Sequence, residues 1–455
     1  MKQKTASGGN RRERGQTILL VAVSLVSLLA MAALAIDVVT LYAARSEIQR
    51  TADAAALAGA KAVADSGVTT LPPGDPNLLN AVALARAMAA SAINAMETAN
   101  PAINQVAGQP ITWSHTVTFP ATANPTNSNP HVTVTLQVTT LPTFFARIWG
   151  NRTATVNASA TAEAYNPANV QSFTPIAPKG VKPWLVANVD PNNSGAPFID
   201  RATGVIETNL GANVIGETLN LTADCVAPGP GCTLLASGNP PGVGPWSTGG
   251  YPQVEYVPAA VTPDAGSNVC PSACTGASPY EQSIECADMT TSYKVLSCGG
   301  GTASANWDSL VYPGGVGGLS DLGTECLIHA TGTGNNKGQD TLDPSPWPFN
   351  PMQITAGAGN PPQNGYVVTT SNSIVTIPVI DPTTFQAVSP FQVTVVGFLQ
   401  AFVNEVHGSG NPHHAGDIKV TVLNIAGCGN SPTTASPVVG GSGTSPVPVR
   451  LITPP

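Results

Sequence analysis

Thr17-Ile18-Leu19-Leu20-Val21-Ala22-Val23-Ser24-Leu25-Val26-Ser27-Leu28-Leu29-Ala30-Met31-Ala32-Ala33-Leu34-Ala35-Ile36, closed by Asp37, is the stretch on which the reading of this chain turns. Its twenty residues carry no charge. As a helix they measure about 30 Å, enough to cross the hydrocarbon of a bilayer. Lys2, Lys4, Arg11, Arg12 and Arg14 precede it against one acid, Glu13. Lys and Arg beside a span resist translocation, so this leader is expected in the cytoplasm and everything after Asp37 outside. Two rival readings exist. A signal peptide cut after Ala33-Leu34-Ala35 would need an apolar core of about 7–15 residues, shorter than this one. A buried helix of a soluble protein does not explain the charge asymmetry, and the helical pattern runs on past Asp37 without a breaker. A retained anchor is the reading we carry forward.

Beyond Asp37, Leu41, Ile48, Ala55 and Ala62 recur every seven residues, flanked by Val38, Ala44, Ala52 and Gly59. This predicts a helix with one narrow apolar seam. Leu41, Ile48, Ala52 and Ala55 are its candidate packing residues, because small side chains let a neighbouring helix come close. Glu47, Arg50 and Asp53 follow at three-residue spacing and read as a solvated face.

The basic leader, Gly15-Gln16, the span, Asp37, Tyr42, Arg45, Gln49 and the run Ala52-Asp53-Ala54-Ala55-Ala56-Leu57-Ala58-Gly59-Ala60 together resemble the amino-terminal region of TadG-like and TadE-like proteins. These are pilin-like membrane proteins associated with Flp (tight adherence) pilus assembly. The resemblance covers roughly residues 11–165. It implies a single-pass protein of the inner membrane with a periplasmic or extracellular body. Its partners would be other single-span pilin-like or pilus-assembly proteins, and it does not imply an enzyme. Two departures matter. Processed pilins carry Gly before the cut and Glu five residues on; here Gly15 is followed by Leu20 at that place, so no such cut is expected. The Asp-x-Ser-x-Ser motif of a von Willebrand A-type metal site does not occur in the chain.

Only 10% of the 455 residues are charged, against about 25% in ordinary domains, and there are 45 Gly and 42 Pro. After the span, 13 Lys and Arg face 25 Asp and Glu, net −12, which leaves no basic footprint for nucleic acid. All eight cysteines, Cys225, Cys232, Cys270, Cys274, Cys286, Cys298, Cys326 and Cys428, lie on the exported side and read as disulfide candidates. Short loops favour Cys225 with Cys232, Cys270 with Cys274 and Cys286 with Cys298, leaving Cys326 for Cys428. Zinc at Cys270 and Cys274 is the alternative, though no second pair completes it.

In chain order, residues 1–16 form the leader, 17–36 the transmembrane helix and 37–165 a pilin-like domain. Residues 166–183 are a linker, 184–430 a Cys-containing mainly-β domain and 431–455 a flexible tail. The expected class is α+β: one transmembrane helix continuing into a pilin-like helix plus antiparallel sheet, then a disulfide-containing mainly-β body. Leu71-Pro72-Pro73-Gly74-Asp75-Pro76 breaks the first helix, and Asn77 to Met96 has helical periodicity. Ile111–Phe119, His131–Thr139 and Thr153–Tyr165 alternate as half-buried strands. Phe144, Phe145 and Trp149 are expected to pack beneath that sheet. In the second body, Val186–Val189, Tyr366–Thr370, Ile374–Ile380, Phe391–Leu399 and Ile418–Ile425 suggest a β-sandwich or irregular β domain, with 225–365 as long pinned loops.

Candidate chemistry is sparse. His407, His413, His414 and Asp417 share a Gly/Asn loop without ligand spacing and read as a solvated hairpin loop. Asp190-Pro191-Asn192-Asn193-Ser194-Gly195 starts like an EF-hand, but its twelfth position is Arg201. An Asx-turn is the default there, with a weak calcium loop as the alternative. No Gly-x-Ser-x-Gly elbow or phosphate-cradling Gly-x-x-x-x-Gly-Lys occurs. No catalytic, metal or cofactor-binding residue and no cofactor is assigned. A structural envelope role is the first reading, an anchored or secreted binding module the second and a secreted hydrolase the third.

Overall fold

Helix α1, Asn10–Asp65, runs 56 residues because no proline interrupts it and alanine dominates its second half. At 1.5 Å per residue it is roughly 84 Å long. It stops where Ser66 turns its hydroxyl back onto the Val63 carbonyl (2.7 Å) and Gly67 takes the left-handed conformation, φ 79°. The structure, a computed structural model, describes residues 10–72, 74–99, 105–119, 129–169, 176–193, 195–206, 214–223, 253–260, 278–286, 304–306, 316–330, 338–360, 363–386, 392–406, 416–428, 438–439 and 445–452.

Helix α2, Leu78–Ala99, returns along α1, led in by Asp75, whose carboxylate accepts the Asn77 N–H at 2.7 Å. Its inner face is Ala81, Ala85, Ala89 and Ile93, all fully buried. Three antiparallel strands, β1 (Thr112–Thr118), β2 (His131–Pro142) and β3 (Thr153–Ala164), form a meander against α1. Val132, Val134, Leu136 and Val138 of β2 point inward in strict alternation, and Ala158, Ala160 and Ala162 of β3 leave room for the helix. A Cβ on Gly59 would come within 2.8 Å of Val132 Cγ1 and 3.0 Å of Ile93 Cδ1, so only glycine fits where both helices and the sheet meet. The expected helix-on-sheet unit is therefore present.

The second body is a closed barrel, where the loop spacing suggested a β-sandwich or an irregular β domain. Its strands are β4 (Trp184–Ala187), β5 (Thr218–Ala223), β6 (Gln253–Pro258), β7 (Ile374–Asp381), β8 (Gln392–Val406) and β9 (Ile418–Gly427). They run in the order β8-β7-β4-β6-β5-β9, and β9 pairs back onto β8. The β7–β4 and β5–β6 pairs are parallel and the others antiparallel. Closure removes the exposed edges that an open sheet would leave. Gly397 of β8 faces Gly427 of β9, and a Cβ on Gly397 would lie 2.3 Å from Ile199 Cδ1, so the chain before β5 crosses there. Helices α3 (Pro279–Glu285) and α4 (Val316–Leu327) pack together within what the sequence presented as loops.

Two further boundaries differ from expectation. Strand β10, Val449–Ile452, lies in the supposed flexible tail, yet it pairs antiparallel with β3 and completes the amino-terminal sheet as β10-β3-β2-β1. Arg450 bridges Glu163, whose other oxygen lies 3.6 Å from His131, and its guanidinium stands 4.6 Å over the Tyr165 ring. Burial alone would raise the Glu163 pKa. The His131, Arg450 and Asn129 contacts outweigh it and hold the carboxyl below its ordinary value. The supposed linker is also built in. Lys182 donates to the carbonyls of Ile284 (2.7 Å) and Cys286 (2.9 Å), and Asn166 to those of Thr69 (3.0 Å) and Ile425 (2.8 Å). Asn424 of β9 donates to Ala64 O at 2.6 Å and accepts from Thr70, docking the end of α1 onto the barrel.

Candidate functional site

From Ile18 to Met31 the large apolar side chains of α1 stand free, Ile18 at 71% exposed and Leu28 at 66%. By length and composition this helix can cross a membrane. Helix α2 passes the same test, but its apolar face is spent on α1. The polar groups of the run are satisfied within the helix. Ser24 donates to Val21 O (2.9 Å) and Ser27 to Val23 O (2.8 Å), as an apolar solvent requires.

Asp37, 3% exposed, ends this run and does more than stop it. Its carboxylate accepts the backbone N–H groups of Phe144 (2.8 Å), Phe145 (3.0 Å) and Ala146 (2.7 Å). These amides open the short 3-10 helix Ala146–Trp149, so Asp37 supplies from 107–109 residues away the cap that the local sequence lacks. Burial acts to raise its pKa, and the three amide donors more than reverse this, leaving it lowered. Gly150, φ 97°, closes the short helix, and Gly150 N donates to Arg147 O at 3.1 Å. The sequence showed only a lone acid after an apolar run, and nothing local named its partners.

Above Asp37, Ile48, Ala52 and Ala55 are fully buried and Leu41 is partly buried. Helix α1 packs against the chain's own β2, β3 and α2. Gln49 ties the helix to β3 through Ser159 O (3.2 Å) and to Asp53 (2.8 Å). Of the three charges read as a solvated face, Glu47 and Arg50 are exposed and Asp53 is half-buried. Tyr42, Arg45, Ser46, Gln49 and Arg50 line an open groove of about 300 Å³.

Phe144 is corrected from core to surface, at 58% exposed; Phe145 is half-buried, and the Trp149 side chain lies outside the described residues. Of the cysteine candidates, Cys286, Cys326 and Cys428 are described, and Cys286 and Cys428 are buried. Cys225, Cys232, Cys270, Cys274 and Cys298 lie outside the described residues, as do His407, His413 and His414. Asp417 is buried at the start of β9 near Asp321, which accepts the Gly416 N–H at 2.8 Å. Burial first, then the Glu325 and Asp417 charges, push Asp321 up to about 7 against that donor. Asp190 makes an Asx-turn, accepting from Asn192 N (2.9 Å) and Asn193 N (3.1 Å). Beside it, burial and then the Asp190 charge raise Glu217 to about 8.

No curated protein and no solved structure matches the chain. From Gly15 to Ala62, over the free apolar run, Asp37 and the buried alanine face, the chain matches the Tad family model, described as Flp pilus-assembly TadE/G-like, and it is to that family that this segment is similar.

Proposed function

We propose that the protein is a bitopic component of the inner membrane with a structural, non-catalytic role in Flp/Tad pilus biogenesis or an associated secretion apparatus. Residues 1–16 face the cytoplasm, 17–36 cross the bilayer, and the body from Asp37 onward lies in the periplasm or beyond. The family match over 15–62 carries this reading, because it falls on the helix whose residues 16–29 stand without protein cover. Partners are other single-span pilin-like or pilus-assembly proteins, met through the free surface of the span and the open face bearing Tyr42, Arg45 and Arg50. The seam of Leu41, Ile48, Ala52 and Ala55 serves by fixing the helix to its own sheet. Residues 37–165 form the pilin-like unit, joined by the late strand β10, and 184–430 form the barrel unit.

Disulfides belong to the same reading, as expected of an oxidising compartment. The even count of eight cysteines, all after the span, supports it. The test is affinity capture of the tagged chain from detergent-solubilised membranes, with mass spectrometry of what accompanies it. Pilus-assembly ATPase, platform or companion single-span proteins are expected. Their consistent absence, with the bait intact and carbonate-resistant, sinks the pilus assignment.

A further inference from the structure

We propose that residues 143–152 form a second membrane contact, lying in the body-side interface of the bilayer that α1 crosses, with Phe144 at the acyl boundary and Arg147 and Arg152 on anionic phospholipid headgroups. This rests on the anchor reading above and adds a lipid-binding surface to it.

Position comes first. Asp37 follows the last residue of the uncharged run, and its three amide contacts hold residues 144–146 at that height on the helix. Ala33, one turn earlier on the same face, is only 8% exposed, and Ala30 is half-buried. Protein therefore reaches alongside the span about 6 Å below Asp37, where hydrocarbon begins.

Composition agrees with that position. Phe144 is exposed at 58%, and Arg147 and Arg152 are exposed beside it, in a body whose formal charge after the span is −12. Aromatic rings favour the membrane interface, and cations there attract anionic headgroups.

The backbone is also prepared for a poorly hydrated boundary. Thr143 N donates to Arg152 O (3.3 Å), Gly150 N to Arg147 O (3.1 Å) and Asn151 N to Ala146 O (3.2 Å), while Asp37 takes the amides of 144–146. With these six backbone N–H groups paired, the loop carries fewer orphaned polar groups into such a region.

The test uses the full chain with Phe144→Trp in vesicles of phosphatidylcholine and phosphatidylglycerol, some carrying lipid brominated near the top of the acyl chains. The emission added by the substitution, taken as the difference from wild type, should be lost in the brominated vesicles. Should that variant fold poorly, a photoactivatable phospholipid in vesicles with the unmodified chain should label the peptide containing Phe144. An unquenched difference and an unlabelled peptide, in chain that still floats with the vesicles, overturn the loop contact and leave the anchor standing. Chain that does not float at all overturns both readings.

Discussion

The two halves of α1 are built from the same helix and ask for opposite surroundings. Residues 18–31 present Ile, Leu, Val and Met to the outside, whereas Ala52, Ala55, Ala56, Ala60 and Val63 are fully buried in the protein's own core. The greasier half is the one left bare. The lesson is that apolar content states how much water must be excluded, while side-chain size states what does the excluding. Large flexible groups suit lipid, which moulds to them; alanine and glycine suit a rigid sheet and a second helix that must come within a few ångströms.

Breaking the first half should have the largest effect. Leu25→Lys with Leu28→Lys places two charges mid-span, each costing about 2.5–3.5 kcal/mol on insertion. The carbonate-resistant membrane fraction should be lost; a pellet unchanged from wild type would mean the bare half is not an anchor. Breaking the second half should instead destabilise the body and leave it in the membrane. Ile48→Ala empties a fully buried site and should cost about 2–5 kcal/mol, read by denaturant unfolding in detergent. Leu25→Ala, at a position 54% exposed, should leave that unfolding curve where it was.

The smallest effect sharpens the contrast by asking what burial does to charge away from α1. Glu217 is raised from 4.5 to about 8 by burial and by Asp190. A raised carboxyl stabilises fully below its unfolded value, and that contribution fades as pH climbs through about 8. Thermal stability should therefore decline between pH 5 and 8, and Glu217→Gln should flatten the decline, as scanning calorimetry across pH would show. An identical slope in the variant would assign the dependence elsewhere.

What could be read from sequence follows from how local each signal is. The span, both long helices and β1–β3 declare themselves by periodicity within a few turns or strand lengths. Phe144 did not, because a Phe-Phe pair looks the same whether it fills a core or stands on a surface. The clasp at Asp37 joins residues 107–109 apart, and no residue pattern carries such a pairing. In the barrel, β6 is buried at every position and includes Gln253 and Glu255, so it lacks the alternation that marks a half-buried strand. Strand β10 is four residues in a Pro- and Gly-rich tail whose partner lies nearly three hundred residues earlier. The choice left between a sandwich and an irregular β domain missed the barrel for the same reason: closure depends on β9 meeting both β5 and β8, a fact of topology.

The position of β10 sets an order of events in manufacture. Until residues 449–452 have left the ribosome, the outer hydrogen-bonding row of β3 has no mate there. A partly made chain thus displays a raw strand border, open to any extended segment that arrives first. Late capture by β10 turns that hazard into a checkpoint, because the flank of β3 is sealed only once residues 449–452 are in place.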